Sequence, residues 1–438
     1  MVLFHNLKNI FLVSELRKKL AFTFMVLAVF RFGAHIPIPG IDVAALNNLF
    51  ASGAGGGFLS YLDLFSGGAI RNFAIFALGM GPYITSSIMM QLLTLMIPTL
   101  ESLSKEGEYG RRIINKYTRY LTIIVSFLQA FGVAMMIEHT PGVVMSPGWG
   151  FRLAAVFILT IGSLFVMWLG EQVSAHGLGN GSSMIVFAGI VVSLPASLFK
   201  LIENVRMGQS DPLLVILLAM VCVAFIMTIV FLERGERKVP VQYAKRVVGQ
   251  RVYGGQSSYI PLKLNPANVV PVIFASAVLS MPATVFGLLA ARWPTLSATL
   301  NNWLYNEPFL YNVLLAGLII FFAFIYTAII FNPVELADNI RKSGGFIPGI
   351  RPGKKTAEYF NYLLTRVGFP GAIYLATLAI LPTVLKNIFS FPVMFGGTSI
   401  LIAVGVALDT SSQIESHLIE RRYEGFLSSG RMKGRYAR

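Results

Sequence analysis

The sequence predicts an all-α polytopic membrane protein, and three observations predict it. Its 438 residues are 55% hydrophobic and only 13% charged, about half the roughly 25% charge of soluble domains. Apolar runs of about 20 residues, long enough to cross a ~30 Å hydrocarbon core as helix, recur along the chain. The Lys and Arg residues between those runs are distributed very unevenly.

Ten candidate spans lie near 20–38, 73–97, 117–137, 151–170, 182–201, 212–232, 267–290, 310–331, 367–388 and 396–414. Arg17-Lys18-Lys19 before Leu20 resembles the start of a signal peptide, but the apolar run continues to about Ile38 without a small-residue cleavage site. It reads as a retained first span. An even number of spans puts both termini on one side.

Basic residues decide which side. The amino terminus carries four Lys and Arg, the 98–119 loop five, the 233–266 loop seven, the 332–366 loop six and the carboxyl tail six, which is 28 of the 35. The opposite set holds only Arg71, Lys200, Arg206, Arg292 and Lys386, with Arg31 and Arg152 in or at the edge of spans. Cytoplasmic loops of membrane proteins are enriched in Lys and Arg. Both termini and the basic loops are therefore expected in the cytoplasm. The net charge of +15 follows from orientation and does not by itself imply nucleic acid.

Five spans plus five suggests an inverted repeat, as in many transport folds. The organisation is then a cytoplasmic segment at 1–19, a first half at 20–201, an external hinge at 202–211, a second half at 212–414 and a cytoplasmic tail at 415–438. Gly79, Gly81 and Pro82 interrupt the second span, and Pro271 and Pro282 the seventh, at the same ordinal position in each half.

The most irregular stretch runs from Tyr61 to Pro98. A short element with a glycine pair, Leu62-Asp63-Leu64-Phe65-Ser66-Gly67-Gly68, precedes a run broken at Gly79-Met80-Gly81-Pro82. Irregular backbone survives at membrane depth only when buried in protein or lining a cavity. A half-helix folded back beside a broken span is the economical reading, and it makes this stretch a candidate gate. By the topology, it approaches from outside and caps the external side of a central pore.

Catalysis and metal binding find no foothold. Cys222 is the single cysteine, and the five histidines have no metal-ligand spacing. No GxSxG elbow appears, and Pro348 to Thr356 misses a Walker A loop at Pro348 and Lys355. No cofactor is expected, and any energy from ATP comes from a partner. Ionisable groups inside spans are few, chiefly Arg31 and Asp409, too isolated for a proton relay. Arg31 reads as a snorkelling or paired structural arginine.

Two cytoplasmic loops are longer than connectors need to be. Glu233 to Lys263 alternates basic residues with Val and Tyr and suggests a protruding strand or short-helix pair. Asn332 to Arg366 contains GGFIPGIRPGKK followed by a helical-looking stretch. Basic protrusions of this texture suit an acidic or RNA surface through phosphate contacts.

The chain resembles the bacterial SecY family, the channel subunit of the general protein translocase, from the first span to the last. The stretches that carry the resemblance include FRFGAHIPIPGID, LFSGGAIRNFAIFALGMGPYITSSIMMQLL, EGEYGRRIINKYTRY, MWLGEQVSAHGLGNGSSMIVFAGIV, ERGERKVPVQYAKR, QRVYGGQSSYIPLK, FNPVELADNIRKSGGFIPGIRPG and FGGTSILIAVGVALD. The resemblance implies two inverted five-helix halves closed like a clamshell around an hourglass pore. It places an apolar pore ring at Met80, Ile84, Val186, Ile273 and Ile402. Met80 stands where a branched aliphatic is common, and Ser182, at a neighbouring position that is often apolar, is left out of the ring.

The same resemblance assigns a plug to the stretch from Leu62 to Asn72, with Leu62, Leu64, Phe65, Ser66, Gly67, Gly68, Ala69 and Arg71 as its named residues. It implies a lateral gate between spans 2–3 and 7–8, with Thr85, Gln129 and Met281 along it. Arg246, Arg251 and Arg351 match loop positions that engage the ribosome, rRNA included, and the SecA motor; Gln250 replaces a commonly basic neighbour. SecE and SecG are the implied companion subunits, and the bacterial plasma membrane is the implied membrane. The function implied is passage of unfolded secretory polypeptides, with signal sequences and nascent spans entering at the gate and apolar spans released into lipid. The rival readings are an ion-coupled secondary transporter of a small solute, which the scarcity of intramembrane charge opposes, and a ribosome-docking scaffold without a pore.

Overall fold

A computed structural model of the chain describes residues 13–51, 63, 66–138, 140, 142–208, 211–243, 246–248, 251–253, 257–290, 295, 299, 308–389 and 397–428. Six described helices are long and apolar enough to cross a membrane, and seven if one sharply bent pair counts as a span. The protein is an all-α polytopic membrane protein in its spanning part. Other expected spans fall on helices whose length or composition is less decisive. Helix α1 (Ser14–Gly33) carries Glu15, Arg17, Lys18, Lys19 and Arg31, and the last helix turns polar from Asp409 onward.

The chain clusters into two compact units, one formed by Met1–Leu194 with Val406–Arg438 and the other by Pro195–Gly405. The first unit contains α1, α2 (Val43–Ala51), α3 (Gly81–Met96), α4 (Pro98–Lys105), α5 (Glu108–Glu138) and α6 (Trp149–His176). It also holds the start of α7 (Gly181–Arg206) and the end of the last helix (Gly397–Ser428). Helix α5 packs along both α3 and α6, and α1 packs on α6. The core gathers Ile38, Ile70, Phe73, Val133, Ile137 and Leu159.

The second expected span begins later than its hydropathy suggests. Helix α3 starts only at Gly81, with Pro82 in the first turn where its missing N–H is harmless. Residues 69–80 instead make a series of tight turns. The N–H groups of Phe73, Ala77 and Gly79 donate to the carbonyls of Ile70, Ala74 and Phe76, each at 2.9 Å. The stretch also forms a short antiparallel bridge, in which Ile38 N–H donates to Phe73 O and Ile75 N–H to Ile36 O, both at 3.0 Å. Phe73, Ala74, Ala77, Leu78 and Met80 are all buried. This backbone is irregular yet satisfied and enclosed, as membrane depth requires. At its far end, α3 stops at Ile97 and α4 leaves at 101°.

The second unit contains α8 (Pro212–Glu233), α9 (Val270–Ala290), α10 (Pro308–Ile330), α11 (Pro333–Lys342) and α12 (Lys354–Phe389). Helix α13 (Gly397–Ser428) begins in this unit and ends in the first. Helix α10 packs along α9 and α12. Asp211 caps α8, accepting from Leu213 N–H at 3.0 Å, and Tyr374 donates across to the Thr228 carbonyl at 3.1 Å. Helix α12 runs unbroken through Pro370 and Pro382. The expected loop boundary at 366 therefore lies inside a helix, whose first turns belong to the region read as loop.

The two basic loops build one structure. Strand β1 (Glu236–Tyr243) pairs antiparallel with β4 (Ser257–Lys263) on one side and with β5 (Gly345–Phe346) on the other. Between them β2 (Arg246–Val248) and β3 (Arg251–Tyr253) form a two-stranded hairpin. Alternation along β1 turns Val239 and Val241 inward, where they meet Leu262, Ile340, Ile347 and Phe360. Asn332 caps α11, its side-chain oxygen accepting from Val334 and Glu335 N–H at 3.2 and 3.4 Å.

Candidate functional site

The site is built outward from the segment before the tight turns. Asp63 organises it. Its carbonyl accepts from Gly68 N–H at 3.0 Å and from the Ser66 hydroxyl at 3.2 Å. Its carboxylate takes the Arg71 N–H at 3.3 Å and the Arg71 Nε at 2.6 Å. Asp63 and residues 66–71 are thus held together by one buried carboxylate and one exposed guanidinium. Ser66, Gly67 and Ala69 are buried, and Ala69 packs with Ala34 and Ala74. Leu62, Leu64 and Phe65 lie outside the described residues.

Beside the packing of Ala69, two further contacts among the described residues hold this segment against its neighbours. The Arg31 guanidinium, reaching out of α1, donates to the Gly67 carbonyl. On another side Gly67 meets α7 backbone to backbone: with φ +65, a Cβ added there would stand 2.7 Å from the Gly189 Cα. Only glycine meets both demands, the left-handed conformation and the missing side chain.

The expected ring residues occupy two units. Met80, Ile84 and Val186 are buried in the first, and Ile273 and Ile402 in the second. Gly170 of α6 makes room for Met80: a Cβ there would meet Met80 Cε at 3.2 Å and Ile185 Cδ1 at 3.5 Å. Ser182 is engaged at the start of α7, its hydroxyl donating to Asn180 Oδ1 at 2.6 Å.

Of the residues expected along a lateral gate, Thr85 is buried on α3 and Gln129 half-buried on α5, two helices that pack together. Gln129 faces the start of α3, its Oε1 lying 4.0 Å from a Cβ built on Gly81. Met281 falls on α9 in the other unit. A polar seam escaped the sequence reading. The Ser126 hydroxyl donates to Ser163 Oγ at 3.4 Å, and Ser163 donates to the Gly79 carbonyl at 3.3 Å, tying α5 and α6 to the turn that opens α3. Small polar residues in mid-span were the only signal available.

On the basic loops, Arg246 pairs with Tyr253 and Arg251 with Val248 across the hairpin. Arg351 is exposed, its carbonyl accepting from the buried Thr356 hydroxyl at 3.0 Å just inside α12. Among the described residues, no group of three or more His, Cys, Asp or Glu is placed to hold a metal ion.

Comparison with known proteins gives one consistent result. The family model described as SecY matches residues 74–411. The chain is 44% identical over 427 residues to the protein translocase subunit SecY of Escherichia coli K12, covering 96% of each. It is 42% identical over 427 residues to the SecY subunit of Aquifex aeolicus, covering 96% of this chain and 99% of that one. Among solved structures it resembles a protein-conducting channel at TM-score 0.65 and 17% identity, over 91% of this chain and 92% of that one. A second match is Sec61 in the canine ribosome-channel complex from the endoplasmic reticulum, at TM-score 0.61 and 16% identity, over 91% and 92%.

Proposed function

The chain belongs to the SecY family, and from that premise we infer that it is the protein-conducting channel of a translocase. The observation that carries the reading is 44% identity across 96% of a translocase channel subunit. It is a channel and not an enzyme. Unfolded secretory polypeptides thread it, and apolar segments leave it sideways into lipid, where about 20 apolar residues are favourably accommodated.

The finer architecture follows from the same premise. Ten spans in two inverted halves, 20–201 and 212–414, surround the pore, with an external hinge at 202–211 and both termini in the cytoplasm. Met80, Ile84, Val186, Ile273 and Ile402 form the waist. An apolar constriction excludes hydrated ions by dewetting, and flexible aliphatic and methionine side chains yield around a passing chain. The stretch 62–72 is the plug on the external side, and its compact turn around Asp63 supports that assignment. Thr85, Gln129 and Met281 lie along the lateral gate that signal sequences and nascent spans enter.

The joined cytoplasmic loops are the docking platform. Arg246, Arg251 and Arg351 meet phosphate or carboxylate groups of a ribosome, rRNA included, or of the SecA ATPase, which supply the push. SecE and SecG complete the complex in the plasma membrane.

A cysteine crosslink tests the reading. In a Cys222→Ser background, a stalled secretory chain carrying a photoreactive or thiol probe is expected to link to cysteine placed at 84, 186 or 273. Absence of crosslinks at all three, with preprotein still crossing, removes these residues from the path.

A further inference from the structure

Arg31 needs an explanation that span packing does not give. It sits in α1 between the fully buried Phe30 and the 74% exposed Phe32, on a helix whose other charges cluster at the opposite end. Charge inside a span is unfavourable unless it is paired or meets backbone carbonyls, and such residues are usually functional. Arg31 meets the second condition. Its guanidinium donates to the Gly67 carbonyl, and the Asp63 carboxylate attracts it electrostatically. Both groups belong to the segment 63–71, which lies 32 or more residues further along the chain.

The segment's described residues, Asp63 and 66–71, are bonded to one another. Asp63 holds Gly68, Ser66 and Arg71 to itself, so its internal bonds need not change when it moves. The bond to Arg31 must break. Resting on the assignment of this segment as the plug, we propose that Arg31 is a positioning residue that tethers the plug in its closed seat, and that the Asp63–Arg71 clasp makes the plug leave as one piece. Tether and clasp then have separate roles. Loss of the tether leaves an intact plug that dwells less in its seat, whereas loss of the clasp leaves an anchored plug that is internally loose.

The physical chemistry sets the sign. A hydrogen bond from a charged donor is stronger than a neutral one, and its loss shifts a two-state equilibrium by about tenfold or more. Lysine at position 31 keeps the charge but not the planar fork, so it restores the tether in part. Leucine removes both.

The test uses the full complex in planar bilayers and a labelling assay. Arg31→Leu is expected to raise resting ion conductance about tenfold, and Arg31→Lys to restore part of the seal. With Cys222→Ser and Ser66→Cys, a membrane-impermeant maleimide added outside is expected to label the buried position 66 faster in Arg31→Leu, at unchanged expression and translocation. In a channel lacking 63–71, Arg31→Leu is expected to add nothing. A tight, slowly labelled Arg31→Leu beside a leaking deletion overturns the tether and leaves the plug standing. If the deletion is tight as well, the plug assignment itself fails. A leak from Arg31→Leu that persists undiminished on top of the deletion assigns Arg31 to span packing instead and overturns the proposal.

Discussion

Gly67 and Gly189 touch through their backbones: a side-chain carbon on Gly67 would lie 2.7 Å from the Gly189 Cα. A neighbouring glycine provides the control. Gly68 has φ +88 but open space around its missing Cβ. Alanine at either position incurs the left-handed penalty of about 1–3 kcal/mol, yet only Gly67→Ala also collides with α7. Gly67→Ala is therefore expected to leak at rest more than Gly68→Ala, by about tenfold for each 1.4 kcal/mol of added clash. Single-channel recording of the two variants side by side measures the difference.

The proposed ring makes a different prediction, because an apolar constriction would seal by shape and dryness. Ile84 is buried in the first unit and Ile273 in the second, and each presents a branched side chain that water wets poorly. Replacing both with glycine costs stability and, in the channels that insert, is expected to raise resting conductance. Conductance unchanged from the parent would remove these two positions from the constriction.

How much of this the sequence could reveal depended on distance along the chain. Hydropathy and basic-loop bias depend on composition and local order, so the polytopic class was readable at once. The break at Gly79-Met80-Gly81-Pro82 was also visible, but not that residues 69–80 are turns, since Phe73, Ala74, Ala77 and Leu78 are as apolar as any helix. Arg31 was visible as a charge, and its acceptor at Gly67 was not, because no periodicity links α1 to a turn 36 residues away. The two basic loops read as separate protrusions. Their union rests on Gln242 pairing with Phe346 and on Phe360 entering the same core, contacts between segments that an intervening pair of helices holds apart in the sequence. The resemblance pointed to ring and gate residues; it did not point to Ser126 and Ser163, whose role is a matter of packing.

The shared loop core predicts that docking and sealing are separable. Phe360 is fully buried among Val239, Val241, Leu262 and Ile340, and truncating a buried phenylalanine to alanine destabilises its core by about 3–5 kcal/mol. Phe360→Ala is expected to make the β1–β4 region sensitive to protease and to weaken ribosome or motor binding, with resting conductance unchanged. Arg351→Glu, at an exposed position, is expected to weaken the same binding without protease sensitivity. For a ribosome, the salt dependence of binding should also become shallower by about one phosphate contact. Equal protease sensitivity in the two variants would show that Arg351 acts on the fold and not on the partner.

The serine seam predicts how firmly α3 is held at its start. Ser163 receives from Ser126 and donates to the Gly79 carbonyl, so one hydroxyl joins α5, α6 and the turn carrying Met80. Hydrogen bonds between helices in membranes average about 0.6 kcal/mol by double-mutant cycles, and a buried carbonyl losing its donor adds about 1–3 kcal/mol. Ser163→Ala is therefore expected to destabilise the channel more than Ser126→Ala, because only Ser163 serves the backbone. The double variant should differ from the sum of the singles by about 0.6 kcal/mol, the share of the Ser126–Ser163 bond alone. Thermal unfolding in detergent, run on the four proteins of the cycle, reads both quantities. Equal losses from the two single variants would mean that the Gly79 carbonyl finds another donor and that the seam does not fix the start of α3.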